Sequence, residues 1–245
     1  MTFLFPPVPP VGVRVRGVEQ LFPVHRVYCV GRNYAAHAQE MGSDPEREPP
    51  FFFCKPPDAV VCVPDGQTFD SAYPRETANL HYEVELVAAI GIGGYNISVD
   101  NALAHVYGYA IGLDMTRRDL QLKMRESGRP WEIGKSYDES APIASIVRAA
   151  DVPDIGNASI TLTVNGATKQ SSSIDNLIWS VAETVSHLSR FFDLVPGDLI
   201  YTGTPAGVGP VIPGDLMIGS IDGLSELKAR IIEGGSAKPN TAMRG

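Results

Sequence analysis

The sequence predicts an α+β domain in which strands predominate and helices are few and short. Three observations point there. Apolar runs of strand length recur and are closed by breakers: Arg26–Val30 by Gly31, Phe51–Cys54 by Lys55-Pro56-Pro57, Leu86–Ile90 by Gly91. The back half carries a hairpin signal, with alternation over Ile160–Val164, an Asn165-Gly166 pair suited to a type I′ turn, and Ala167–Gln170 to pair back. Helical signals are brief and depend on caps, as at Ser180, where Glu183 three residues on completes a capping box.

At 245 residues the chain is long enough for one large domain. The reading divides it into an extended N-terminal arm (1–25, punctuated by Pro6, Pro7, Pro9, Pro10 and Pro23), one main domain (26–232) and a small, polar tail (233–245) expected to be disordered. The net charge of −8 and pI of about 5.1 argue against nucleic acid or an anionic membrane as partner, and an anionic substrate would need a local cation. Cys29, Cys54 and Cys62 show no CxxC spacing and are expected as small buried hydrophobes. No apolar run reaches the roughly 18 residues of a membrane span. Met1–Pro10 lacks the basic start of a signal peptide, so a cytoplasmic location is expected.

Taken in order, Arg26–Val30 reads as a strand. Asn33 is placed to cap a helix over Tyr34–Met41 that stops at Gly42, with His37 and Glu40 sharing one face. Those two are either a solvated pair or a working one. Ser43–Pro50 reads as a flexible loop and Phe51–Cys54 as a buried strand. Ser98 is placed to cap a helix over Val99–Ala104, and Tyr107–Leu113 is a strand arriving at Asp114. Thr116 and Asp119 suggest a capping box opening a helix to about Glu126, and Trp131–Ser136 reads as a strand carrying Lys135. The Ser180 helix buries Val181, Val185, Leu188 and Phe192, with Trp179 and His187 packing at its ends. Pro196-Gly197-Asp198 turns into Leu199–Thr202, and turns at Pro213-Gly214-Asp215 and Asp222-Gly223 frame two last strands.

The stretch His81-Tyr82-Glu83-Val84-Glu85-Leu86 organises the rest. On a strand, residues two apart face the same way, so Glu83 and Glu85 point together while the chain enters a core. Adjacent buried anions repel, and a divalent cation with a taste for oxygen ligands removes the conflict. Pairing with Lys or Arg on a neighbouring strand would do so as well. Asp114 supplies a third carboxylate at another strand end.

These stretches resemble the fumarylacetoacetate hydrolase family. The resemblance rests on Gly31-Arg32-Asn33-Tyr34-Ala35-Ala36-His37, the Glu83-Val84-Glu85 strand, Leu113-Asp114-Met115-Thr116, Arg118-Asp119-Leu120-Gln121, Gly134-Lys135-Ser136 and Thr202–Gly209, in that order. It implies a mixed β-sandwich roll, usually a homodimer, with Mg²⁺ or Mn²⁺ held at Glu83, Glu85 and Asp114. His37 and Glu40 then become a catalytic pair. Arg47–Phe53 and Asp119–Leu122 look like the bacterial members that hydrolyse fumarylpyruvate or maleylpyruvate in gentisate breakdown; Tyr82 departs from the His often seen there, on the side away from the carboxylates.

For a 2,4-dioxo acid, His37 oriented by Glu40 would take a proton from water, since an imidazole suits base work near neutrality. Attack at C4 and cleavage of C3–C4 would leave a pyruvate enolate, stabilised by the metal and Lys135. Gln121 and Thr204, with Arg118 a weaker candidate, would hold the pyruvoyl end, and Arg32 or Arg47 the distal carboxylate. The His37 helix is placed to close as a lid. The rivals are an oxaloacetate decarboxylase, a dioxo-acid isomerase, or a non-catalytic protein with a structural Ca²⁺ site.

Overall fold

The structure, a computed structural model, describes residues 2–40 and 48–234. Strands dominate, as expected, and no helix exceeds nine residues among those described. An eight-stranded mixed sheet runs in the order Phe51–Lys55, Val27–Gly31, Leu199–Tyr201, Val84–Ile90, Val106–Leu113, Ala141–Ala144, Val60–Val63, with Val147–Arg148 also on Val106–Leu113. A five-stranded sheet packs against it, ordered Ala167–Ser173, Ser159–Val164, Leu216–Ile221, Leu227–Ile232, Phe69–Ala72. A small third sheet joins Thr116–Arg117, Leu80–Tyr82 and Gly209–Val211.

The strand Val84–Ile90 is buried at all seven positions because both its faces are covered. Val84, Leu86, Ala88 and Ile90 join the core shared with Ile160, Leu162 and Met217 of the five-stranded sheet. Val87 and Ala89 join a second core with Cys29, Leu199 and Tyr201. The alternation that separates the two cores also assigns Glu83 and Glu85 to the face of Val87 and Ala89.

Several elements formed as read. Ser159–Val164 and Ala167–Ser173 pair antiparallel about Asn165 (φ 51°) and Gly166 (φ 79°), the positive angles a type I′ turn requires. The helix Val181–Leu188 opens on the full Ser180/Glu183 capping box, though it ends before Phe192. Trp179 and His187 pack edge to face at its ends.

Other readings are corrected. The N-terminal segment is not simply an extended arm: Gly12–Val15 and Val18–Pro23 form a hairpin that buries Val13, Val15 and Phe22 in the second core. Phe51–Lys55 is an edge strand and largely uncovered, with Phe51 and Cys54 exposed. Of the three cysteines only Cys29 is buried. Ser98 begins Val99–Ala102 without a side-chain cap, and the Thr116/Asp119 box does not form, since Asp119 accepts instead from Thr77 Oγ1 and the Ala78 amide. The helix starts at Arg118 and Thr116 lies in a strand. Asn33 caps nothing: its amide donates to the carbonyls of Trp179 and Thr202 and accepts from the Trp179 amide. Gly42, Arg47 and most of the Ser43–Pro50 loop lie outside the described residues, as does the tail beyond Gly234.

Removing the Ser180 cap should cost about 1 kcal/mol, so Ser180→Ala is expected to lower the melting temperature by about 2–4 °C. An unchanged thermal transition would show that this helix end contributes nothing.

Candidate active site

The carboxylates come together through strand register. Val84 pairs with Leu113 and Glu85 with Gly112, while the Asp114 amide donates to the Glu83 carbonyl at 2.9 Å. Glu83 and Asp114 therefore face each other across the strand ends, on the same face as Glu85. Oxygens of all three lie within 4.8 Å of one another, and all three residues are buried. Gly112, beside Glu85, leaves the space that the Tyr201 ring fills; a Cβ there would sit 2.4 Å from the ring.

Three cations surround the acids. Lys135 Nζ donates to Glu83 Oε2 at 2.8 Å, Asp114 Oδ2 at 2.6 Å and Thr116 Oγ1 at 2.8 Å. It rides at the end of the short helix Glu132–Lys135, not on a strand. Gly134 allows this, because a Cβ there would meet the backbone of Gln121 at 2.8 Å. Arg118 Nη2 contacts Glu83 Oε1 at 2.5 Å, and its Nη1 donates to Gln121 Oε1.

The third cation is Lys55, which in the sequence marks only the end of a strand. Its Nζ lies 2.9 Å from Asp114 Oδ1 and donates to Ser140 Oγ and to the carbonyls of Lys135 and Met115. The available signal was alternation, since Lys55 continues the face of Phe51 and Phe53.

The electrostatics divide the acids. Burial alone would raise Glu83, but Lys135, Arg118 and His37 hold it well below the usual carboxylate range. Burial, with Asp114 and Glu83 alongside, pushes Glu85 far above it. Glu85 accepts from the Gly203 amide at 2.8 Å and has no ion pair among the described residues. Burial lowers Lys135, but Asp114 and Glu83 outweigh it and keep the ammonium charged. Burial and Arg118 bring His81 down to about 4, so it is neutral at pH 7 and faces Arg118 Nε at 3.4 Å through a bare nitrogen.

His37, buried on the helix Ala35–Glu40, places Nδ1 3.1 Å from Glu40 Oε2. A carboxylate there assigns the ring proton to Nδ1 and leaves a lone pair on Nε2. The Gly207 amide also donates to Glu40, tying the pair to the Thr202–Gly209 segment. One narrow cleft brings His37, the three acids, Arg118, Gln121, Lys135 and Thr204 together, with Arg32 and Arg125 also on its walls.

Two expected substrate contacts are differently employed. The Thr204 hydroxyl donates to the Val84 carbonyl and accepts from Gln170, leaving at most a lone pair to offer. Arg118 is committed to Glu83 and Gln121. Gln170, fully buried and without a functional signal in the sequence, also accepts from the Val84 amide, so Val84, Gln170 and Thr204 form a closed ring around the peptide between the two glutamates.

The acid cluster suits a hard divalent cation. Asp114 Oδ1 has an ion pair but no hydrogen bond, and Glu85 lacks a counterion. Glu83, Glu85 and Asp114 would hold the ion. Since the acids are already matched by Lys55, Lys135 and Arg118, it would leave the site positive and receptive to a dianion.

Both the sequence and the structure are similar to those of known proteins. Residues 26–232 match the family described as "Fumarylacetoacetate (FAA) hydrolase C-terminal". A fumarylpyruvate hydrolase of Ralstonia sp is 49% identical over 188 residues, 77% of this chain and 95% of its own. The mitochondrial oxaloacetate tautomerase of Arabidopsis thaliana is 39% identical over 203 residues, 83% of this chain and 89% of its own. The crystal structure of fumarylpyruvate hydrolase from Pseudomonas aeruginosa, in complex with Mn²⁺ and pyruvate, superposes with a TM-score of 0.93 at 62% identity, covering 95% of this chain and 100% of that one.

Two outcomes are expected of the metal-free protein. Glu85 binds its proton more tightly folded than unfolded, so that contribution is fully present below the ordinary carboxylate range and is lost as pH rises through its raised value. Thermal melts of Glu85→Gln should match wild type near about pH 4 and exceed it increasingly toward about pH 8; a constant offset would contradict the assignment. Lys55→Met breaks a buried pair and should lose about 3–5 kcal/mol in denaturant unfolding. A loss below about 1 kcal/mol, the range of an exposed pair, would place Lys55 outside the network.

Proposed function

Because the chain belongs to the fumarylacetoacetate hydrolase family, we propose that it hydrolyses the C3–C4 bond of a 2,4-dioxo acid, fumarylpyruvate in the first instance, to pyruvate and a carboxylic acid. The observation that carries this reading is the buried Glu83/Glu85/Asp114 cluster sharing one cleft with a His37 backed by Glu40. Mg²⁺ or Mn²⁺ bound by the acids would supply positive charge to bind the 2-oxo acid end and to take up the negative charge that leaves with pyruvate.

The chain's own residues account for the rest. His37 Nε2 accepts a proton from water, and Glu40 fixes the ring and stabilises the imidazolium that forms. The hydroxide adds to C4; as the adduct collapses, the C3–C4 electron pair passes into the enolate of pyruvate, which is then protonated at C3. Lys135 keeps the pocket positive, but its three N–H groups are all committed to Glu83, Asp114 and Thr116. It donates to substrate only after releasing one of them. Gln121, with Oε1 turned to Arg118, has its amide nitrogen as the donor for the pyruvoyl carboxylate. Arg32, on the cleft wall, is a candidate for the distal carboxylate.

Finer parts of the reading are the trans acyl geometry over the cis maleyl isomer, a place in gentisate-type aromatic degradation, a homodimer and a cytoplasmic setting. A second reading, oxaloacetate as substrate, is favoured by the tautomerase relative, since tautomerisation and decarboxylation need the same enolate but no attacking water.

With Mn²⁺ or Mg²⁺ present, loss of the dioxo absorbance of fumarylpyruvate should parallel pyruvate release and stop on chelation. His37→Ala should lower kcat about 10²–10⁴-fold for hydrolysis while sparing any oxaloacetate decarboxylation. Equal loss of both reactions, or turnover indifferent to chelator, would overturn this division of roles.

A further inference from the structure

One wall of the cleft takes no part in the acid and base chemistry. The edge strand Phe51–Lys55 pairs antiparallel with Val27–Gly31, setting Phe53 opposite Cys29 and Phe51 opposite Gly31. Phe51, Phe53 and Lys55 alternate onto one face, and Lys55 reaching Asp114 identifies it as the face of the acids. The Phe53 ring centroid lies 5.2 Å from Lys135 Nζ, the ammonium that bridges Glu83 and Asp114. Trp131 follows at 6.0 Å from Phe53, and Phe51 at 4.9 Å from Trp131. Phe51 and Phe53 also lie 6.2 Å apart, so the three rings form a cluster beside the acids, with Phe51 43% exposed at its outer side.

The core explains the cluster only in part: Phe53 packs against the second core, whereas Phe51 and Trp131 join neither. None of the three rings is buried, and both Phe53 and Trp131 line the cleft. Phe51 lies over Gly31, where a Cβ would come within 2.4 Å of the ring. The Trp131 carbonyl accepts from the amides of Gly134 and Lys135, so the helix that carries Lys135 is started by the Trp131 backbone and not by its indole. A partly exposed aromatic cluster at the mouth of a polar cleft is a surface kept for a ligand.

We propose that Phe53 and Trp131 form a specificity wall that favours acyl groups whose carbon–carbon double bond is conjugated with the C4 carbonyl over saturated acyl groups of the same length and charge. The inference rests on the dioxo-acid reading above. A conjugated acyl chain is flat and polarisable, and presents a π-face to the rings as it leaves the acid cluster toward solvent. It also has fewer torsions to immobilise than the saturated chain, so less entropy opposes its binding along the wall. Two carboxylates and two ketones are common to both substrates, so charge alone does not distinguish them.

The test compares fumarylpyruvate with succinylpyruvate, which differ only in that double bond. Wild type should show the higher kcat/KM on fumarylpyruvate. Trp131→Leu and Phe53→Leu should each reduce the ratio of the two kcat/KM values about three- to tenfold, the range an aromatic contact supplies. Trp131→Phe should keep most of it. Inhibition by pyruvate, which reaches only the acid end, should stay within about twofold in all three variants. An unchanged ratio in both leucine variants, or equal loss on both substrates, overturns the wall while leaving the hydrolase reading intact. A wild type that cleaves neither substrate overturns both together.

Discussion

The antiparallel pairing of Val84–Ile90 with Val106–Leu113 is the constraint on which the site depends. Its register places Asp114 opposite Glu83 and puts Glu85 on the same face, at the point where both strands leave the sheet. A slip by one residue would turn one set of acids toward Ile160 and Leu162 and destroy both the core and the cluster. Packing thus enforces what the chemistry needs. The apolar residues between and beyond the acids fix the alternation, and the acids are held where water cannot relieve their repulsion.

That repulsion is relieved unevenly. Lys135 and Arg118 serve Glu83, Lys55 and Lys135 serve Asp114, and Glu85, with only the Gly203 amide, is driven to keep its proton. Burying acids beside cations gains little net stability, because desolvation consumes most of the attraction. Such a cluster is better understood as a prepared receptor. It has one acid without a counterion, one buried oxygen without a hydrogen bond, and in Lys135 an ammonium whose hydrogens are all engaged until the acids find another partner.

Much of this was legible in the sequence. The Glu83/Glu85 spacing, the strand ending at Asp114, the His37/Glu40 helix, the Asn165-Gly166 hairpin and the Ser180 cap each carry a local signal that matches the global fold. Much of the rest is hidden for one reason: polar side chains are spent on distant partners. Asn33 looked like a helix cap but bonds Trp179 and Thr202, and Asp119 looked like part of a box but bonds Thr77 and Ala78. Lys135 looked like a strand residue because the Gly134 contact with Gln121, which shapes its short helix, joins segments apart in sequence. Lys55 followed an apolar run and read as its end, although its parity with Phe51 and Phe53 marked it as part of the strand. In the N-terminal segment, prolines drew attention from the alternation of Val13, Val15 and Phe22.

The central claim is that Glu83, Glu85 and Asp114 together hold one divalent ion. An anomalous difference map at the manganese edge, from crystals grown with Mn²⁺, tests it most directly. The account predicts a single strong peak within coordination distance of oxygens from all three side chains, absent in Asp114→Asn. A cluster still bridged by Lys135 with no peak, or manganese bound elsewhere on the chain, would contradict it.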